Sequence, residues 1–279
     1  MNFTDKLSKA IASAESTLCV GLDPVPENLP KPIKEAFEGE EKQILEFCRR
    51  VIEATKQHAC AFKPNTAFFE ALGSSGWAVL EEVADMVPSN RVLIMDAKRG
   101  DIGNTAARYK QAFFDRMHAD AITLNPLMGM ETLGPFLDDP QKAVFVLAMT
   151  SNRGAADLLQ RRFEGRMSLG EYIAEELAKK MNKSSSHLGL VTGATQTEWI
   201  APVIEAFPEA HLLIPGIGKQ GGDIQELSNV LKNHKGLPVI NSSRSIIYAG
   251  GDSEEWMELV AEKAQSMKET LKVITQRYV

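Results

Sequence analysis

The chain has 279 residues, and its 31 Lys and Arg against 37 Asp and Glu leave a formal charge of −6 with neutral histidines. That balance argues against nucleic acid as a partner, because neutralising phosphates in number requires a surplus of positive charge on at least one face. A composition 44% hydrophobic and 24% charged is that of a globular protein with a sizeable core, which excludes disordered and fibrous classes.

The first fifteen residues alternate charged and apolar positions (Asp5, Lys6, Lys9, Glu15) and lack the apolar stretch of a secretory signal, so a cytoplasmic location is expected. The longest unbroken apolar run, Ala143 to Met149, is far shorter than the roughly 20 residues that span a bilayer, and no membrane association is expected. The three cysteines, Cys19, Cys48 and Cys60, show no CxxC spacing and read as buried, reduced thiols.

Along the chain one rhythm repeats. Short apolar or β-branched runs ending in polar residues occur at 17–23, 59–65, 91–98, 121–126, 143–151, 188–195, 211–218 and 237–244. Helical spacing separates them at 43–56, 77–86, 106–117, 169–181, 224–231 and 254–278. Strands that are apolar throughout and alternate with helices imply a parallel sheet covered on its outer face. Eight such units predict an α/β fold, a closed (β/α)8 TIM barrel formed by residues 1–279 as a single domain. The strand count alone leaves an open doubly wound sheet as the alternative. The longest connection, 152–168, is arginine-rich, and reads either as an insertion over the barrel mouth or as a solvated loop.

In such a barrel the chemistry belongs where strands end. Strand one ends in Asp23, strand two in Lys63, strand three in Asp96, Lys98 and Asp101, strand five in Thr150 and Ser151, and strand eight in Ser243 and Arg244. In DAKRGDI, from Asp96 to Ile102, strand alternation puts Asp96 and Lys98 on one face, inward if Ala97 faces the helices. Buried charges need partners, so the two should be paired, with Asp101 within reach of the same space or of a neighbouring subunit. A lysine between two carboxylates stays protonated and suits a proton donor to a developing carbanion. The competing reading is a salt bridge that only fixes strand register.

PGIGKQGGD, from Pro215 to Asp223, lies between a strand and a helix. Gly216, Gly218 and Gly221 let backbone N–H groups approach an anion, the following helix adds the positive end of its dipole, and Arg244 supplies a guanidinium. This predicts a phosphate cradle. The formal GxGxxG does not predict a dinucleotide site, because Asn241, Ser242 and Ser243 stand where an acidic ribose ligand is expected. His58, His118, His187, His211 and His234 are scattered, mostly before strands or on helices, so neither a histidine base nor a metal site is expected.

With VGLDP at 20–24 and SRSIIYAG at 243–250, the strings FKPN, DAKRGDIGNTA and PGIGKQGGD resemble the orotidine 5′-phosphate decarboxylase family, in particular its longer bacterial branch. The resemblance implies a homodimeric barrel without cofactor or metal that converts orotidine 5′-phosphate to uridine 5′-phosphate and CO2. It places Lys63, Asp96, Lys98 and Asp101 in a charged network, with Asp101 donated across the dimer interface and Lys98 protonating C6 of the pyrimidine. Asp23 and Lys63 would hold the ribose, joined by Thr105 of the other subunit, and Ser151 would read the pyrimidine amide. Gln220 and Arg244 would bind the phosphate, with Pro215, Gly216, Gly221 and Ser243 around them. The long segment after Ser151, NRGAADLLQ, departs from the pattern. Two other classes compete: a magnesium-dependent sugar-phosphate enzyme of the same barrel group, such as a keto-gulonate phosphate decarboxylase or hexulose phosphate synthase, and a phosphate-ligand binder without catalysis.

Overall fold

A computed structural model of the chain describes residues 1–163, 165–181, 186–194, 197–217 and 223–279. Eight parallel strands close into a barrel: β1 (Leu18–Leu22), β2 (Ala61–Pro64), β3 (Val92–Arg99), β4 (Ala121–Leu124), β5 (Ala143–Met149), β6 (His187–Thr192), β7 (His211–Pro215) and β8 (Pro238–Ser242). Closure is made by β1 against β8, with Leu18 opposite Ile240 and Val20 opposite Ser242. The open-sheet alternative is therefore excluded.

Strand alternation sorts the residues into two packed shells. Leu18, Val20, Phe62, Leu93, Ile122, Val144, Leu190 and Ile240 point outward into a core shared with the helices. Cys19, Ala61, Val92, Ile94, Ala121, Phe145, Val191, Leu213 and Val239 fill the interior. All three cysteines are buried and free, and burial pushes the Cys60 thiol up to about 12.

The interior is capped from below by a helix not anticipated from the sequence, Phe3–Ala14, whose Phe3, Leu7, Ala10, Ile11 and Ala14 pack into the interior cluster. Those residues recur at helical spacing, and Asn2 caps the first turn by accepting from the Asp5 N–H at 2.8 Å. What reads as alternation of charged and apolar positions is an amphipathic helix sealing the barrel floor.

The helix is latched by histidines at the strand starts. Leu237 N–H donates to His211 Nδ1 at 3.1 Å, so a neutral His211 carries its proton on Nε2 and donates it to Thr4 Oγ1 at 2.8 Å. Thr4 in turn can donate to His187 Nδ1, 3.0 Å away. Burial, reinforced by His187 and His234, lowers the His211 pKa to about 3. The unfolded chain takes up this proton near pH 6.5 and the folded chain only near pH 3, so stability is present above pH 6.5 and is lost as pH falls through that window. We expect the unfolding free energy to decline by about 1.4 kcal/mol per pH unit there on account of this ring, and the slope to flatten by about that amount in His211→Gln. Urea unfolding at pH 4, 5, 6 and 7 measures both.

Segment 152–168 is not simply a solvated loop. A 3-10 turn (Arg153–Asp157) leads to a two-stranded antiparallel hairpin, Arg162–Phe163 with Met167–Ser168. Ser168 and Glu171 then cap the helix Leu169–Met181 reciprocally, at 2.7 and 3.2 Å. The predicted 106–117 helix is an α-helix over Gly103–Lys110 that continues as a π-helical turn, Gln111–Arg116.

Candidate active site

The inward alternation that fills the barrel floor with apolar groups delivers polar ones at the mouth. Beyond Cys19 on β1 come Gly21 and Asp23, beyond Ala61 on β2 comes Lys63, beyond Ile94 on β3 comes Asp96, beyond Ala121 on β4 comes Thr123, and beyond Val239 on β8 come Asn241 and Ser243. They gather at an open cleft of about 180 Å³ lined by Asp23, Lys63, Asp96, Pro215, Gly216, Ile217, Asn241, Ser243, Arg244 and Ser245.

Asp96 is the hub. Its Oδ2 accepts from Lys63 Nζ at 2.6 Å and its Oδ1 from Lys98 Nζ at 2.6 Å, with a third bond from Thr123 Oγ1 at 3.0 Å. Burial alone would raise the Asp96 pKa, but the ammonium groups of Lys63 and Lys98 outweigh it and hold the carboxyl well below the usual range. Lys63 is buried, which alone would favour its neutral form, yet the carboxylates of Asp96 and Asp23 hold its pKa above the ordinary lysine value. Lys98 differs: its side chain is 48% exposed, so one end of the network is sealed in the barrel and the other reaches the mouth.

Lys98 also has a left-handed backbone, φ +47°, a conformation costing a non-glycine residue roughly 1–2 kcal/mol. The pairing of β3 with β4 shifts register between Met95 and Arg99, so Lys98 sits in an irregularity that turns it off the strand line. Its N–H donates to Thr123 Oγ1 at 3.0 Å. On the other side, Arg99 donates to the Ala97 carbonyl at 3.1 Å, pairs with Glu70, and lies over the Tyr109 ring at 5.4 Å.

Asp101 and Thr105 are not brought to Lys98 within the chain. Asp101 Oδ1 accepts from the Ile102 N–H at 2.8 Å, and Thr105 is exposed on the helix Gly103–Lys110. Within a single chain Lys98 pairs with Asp96 alone among the described residues: β3 ends at Arg99 and Asp101 lies in the loop beyond it. Ser151 follows β5 and lies against Gly193 at the end of β6, outside the cleft lining; a Cβ at Gly193 would come within 2.6 Å of the Ser151 nitrogen.

Across the cleft, Pro215 and Gly216 lead from β7, Gly216 with φ +103°, a conformation suited to glycine. Gln220 and Gly221 lie outside the described residues, as does Gly218. The helix after this loop, Ile224–Val230, does not offer its N-terminus to a ligand, as the sequence suggested: Asp223 accepts from Gln225 N and Glu226 N, at 2.7 and 3.1 Å, and so caps those donors with its own carboxylate. Among the described residues, this side of the cleft presents Arg244, exposed and without an ion-pair partner, and Ser243.

Besides Thr123, three residues at the site escaped the sequence reading. Asn241 donates to Ser243 Oγ at 3.2 Å, while its own Oδ1, like Asp23 Oδ1, is buried in the cleft wall with no hydrogen-bond partner among the described residues. Buried acceptors left open in this way are suited to ligand donors. Gly21 makes room for the pair, since a Cβ there would fall 1.9 Å from Ser243 Oγ. Tyr248 ties the loop after β1, accepting from Val25 N at 2.7 Å and donating to the Asp23 carbonyl at 3.1 Å, with its ring stacked on Phe47. Alternation from Ala121 and Val239 signals Thr123 and Asn241; nothing in the sequence signals Tyr248.

The chain is similar to known proteins. A sequence profile described as Orotidine 5′-phosphate decarboxylase / HUMPS family matches residues 16–259. An orotidine 5′-phosphate decarboxylase of Herpetosiphon aurantiacus is 45% identical over 251 residues, covering 90% of this chain and 91% of its own. One from Dehalococcoides mccartyi is 37% identical over the full length of both chains. The solved structure of Leishmania donovani OMP decarboxylase superposes with a TM-score of 0.81 at 35% identity, covering 99% of this chain and 100% of that one. With closed barrel, charged mouth and near full-length similarity in agreement, the chain belongs to the orotidine 5′-phosphate decarboxylase / HUMPS family.

Proposed function

We propose that this protein decarboxylates orotidine 5′-phosphate to uridine 5′-phosphate, a step of pyrimidine nucleotide biosynthesis. The observation that carries the reading is one carboxylate, Asp96, holding a buried and a half-exposed ammonium group at 2.6 Å each on the wall of a cleft whose far side presents an arginine unpaired among the described residues. The near full-length relatives with this activity in their names support it.

Arg244 and Ser243, with Gln220 and Gly221 of the glycine loop, grip the phosphate. Asp23, Lys63 and the open amide oxygen of Asn241 take the ribose hydroxyls, and Ser151 reads the pyrimidine amide. The base then lies over Lys98. When the C6–carboxylate bond breaks, its electron pair stays on C6 in the ring plane, where the ring cannot delocalise it. The Lys98 ammonium meets that charge and gives C6 its proton as CO2 leaves; water then reprotonates the amine. A charge fixed in advance in a site shielded from water stabilises the carbanion far better than mobile solvent does. Asp96 orients both ammonium groups, and those two positive charges beside its carboxylate oppose the approach of a divalent cation, which disfavours the magnesium-dependent sugar-phosphate reading.

The site is completed by a second copy. Ile102, Leu127 and Met128, at the ends of β3 and β4, are 56%, 58% and 53% exposed beside Asp101 and Thr105, an apolar face that a homodimer would cover. The dimer donates Asp101 and Thr105 into the partner's cleft. Mixing Lys98→Ala with Asp101→Ala protein after subunit exchange should restore about one quarter of wild-type turnover, because half of the dimers then hold one intact site of two; no recovery in exchanged dimers would exclude a shared site.

Loss of the ultraviolet absorbance of orotidine 5′-phosphate, undiminished by a metal chelator, tests the function directly; an inert purified protein would refute it. Arg244→Ala should raise KM by about 100-fold with a smaller change in kcat, since a bidentate charged contact contributes roughly 3 kcal/mol or more. Steady-state kinetics decide this, and an unchanged KM would place the phosphate elsewhere.

A further inference from the structure

We propose that Thr123 is a positioning residue for Lys98, an inference that rests on the decarboxylase reading above. Thr123 is 1% exposed on the inward side of β4, one layer above Ala121. Its hydroxyl makes two bonds of opposite sense: it accepts from the Lys98 N–H at 3.0 Å and donates to Asp96 Oδ1 at 3.0 Å. Asp96 Oδ1 is also the atom that receives Lys98 Nζ at 2.6 Å.

Thr123 therefore holds Lys98 at both ends, its backbone directly and its ammonium group through Asp96. The backbone contact falls on the residue with φ +47° in the register shift between β3 and β4. At that point the regular ladder offers Lys98 N–H no partner, and the Thr123 hydroxyl replaces it. Without the hydroxyl, the strained turn loses this hydrogen bond at Lys98 N, Asp96 loses one of three donors, and Nζ is free to leave the line to C6. The phosphate and ribose contacts, on β1, β2, β7 and β8, are untouched. The consequence is specific: a defect in the chemical step with binding preserved.

The experiment compares Thr123→Val, Thr123→Ala and Thr123→Ser in the full-length protein, with kcat, KM, the Kd for uridine 5′-phosphate and the melting temperature measured for each. The wild-type assay tests the decarboxylase reading by itself, so an inert wild type and a silent Thr123 are distinguishable failures. Val and Ala should lower kcat by about 10- to 100-fold, the scale of a misplaced reacting group, with KM and Kd within about threefold of wild type. Ser, which keeps the hydroxyl and loses the methyl group, should retain kcat within about threefold. Two results overturn the proposal. One is a kcat retained by the folded Val or Ala variant. The other is a Ser variant as impaired as Ala, which would assign the effect to packing of the methyl group; the Ala and Ser pair decides this even if Val does not fold.

Discussion

Lys98→Ala is expected to lower kcat by at least about 10⁴-fold while leaving the melting temperature and the Kd for uridine 5′-phosphate nearly unchanged. Two effects disappear together: a general acid, which contributes about 10² to 10⁴, and a preorganised charge at the developing carbanion, which contributes about 10² to 10³ for a single donor. The fold should tolerate the change because the Lys98 side chain is half exposed, so its removal strands no buried charge of its own. Asp96 keeps Lys63 and Thr123 as partners. Alanine also disfavours φ +47°, but no more than lysine does. Stopped-flow or long-time absorbance assays, with differential scanning fluorimetry on the same sample, measure both halves; a variant that turns over within tenfold of wild type would remove Lys98 from the chemistry.

Asp96→Ala should fail in the opposite way, as a stability defect first. Lys63 is buried, and Asp96 is the only carboxylate among the described residues that hydrogen-bonds it. Removing one member of a buried pair typically costs about 3–5 kcal/mol because the other charge is left uncompensated. At roughly 2–4 °C per kcal/mol for a chain of this size, the melting temperature should drop by about 10 °C. The pH dependence identifies the cause. In the wild type the depressed Asp96 pKa contributes stability that is present above the unfolded carboxylate value near 4 and is lost as pH falls below it. In the variant the unpaired Lys63 favours its neutral form, so the deficit should shrink as pH rises toward 10. Adding Lys63→Met should return most of the stability and none of the activity, since a buried pair replaced by apolar groups is often neutral or better. An Asp96→Ala protein as stable as wild type across pH 5 to 9 would show that the pair is not sealed from water.

Lys63, Asp96 and Lys98 were legible as site residues because strand alternation and the cost of burying charge are local rules, readable from FKPN and DAKRGDI alone. The pairing of Asp96 with Lys98, two residues apart, was legible too, but partnership between strands was not. Lys63 and Asp96 are 33 residues apart, and Thr123 and Asp96 27, so their contacts exist only because neighbouring strands of a closed barrel share an interior. Asp101 shows the limit from the other side: spacing put it near Lys98, but β3 ends at Arg99 and within the chain the carboxylate binds its own loop at Ile102 N. Asp223 likewise sits in a loop whose glycines read as an anion cradle, while the capping contact that occupies the helix N-terminus depends on a side-chain rotamer.

By itself the sequence determined the number and order of the strands, the face on which polar groups gather and the charges that gather there, because hydrophobic period and strand-end polarity are properties of short segments. Tertiary structure alone decided that Phe3–Ala14 plugs the floor, that Lys98 is bent off its strand and held by Thr123, and that Asn241 and Asp23 each keep a buried acceptor unpartnered among the described residues. Each of these depends on closure of the barrel, which sets side chains from distant segments a few ångströms apart and leaves some of their hydrogen-bonding capacity unspent.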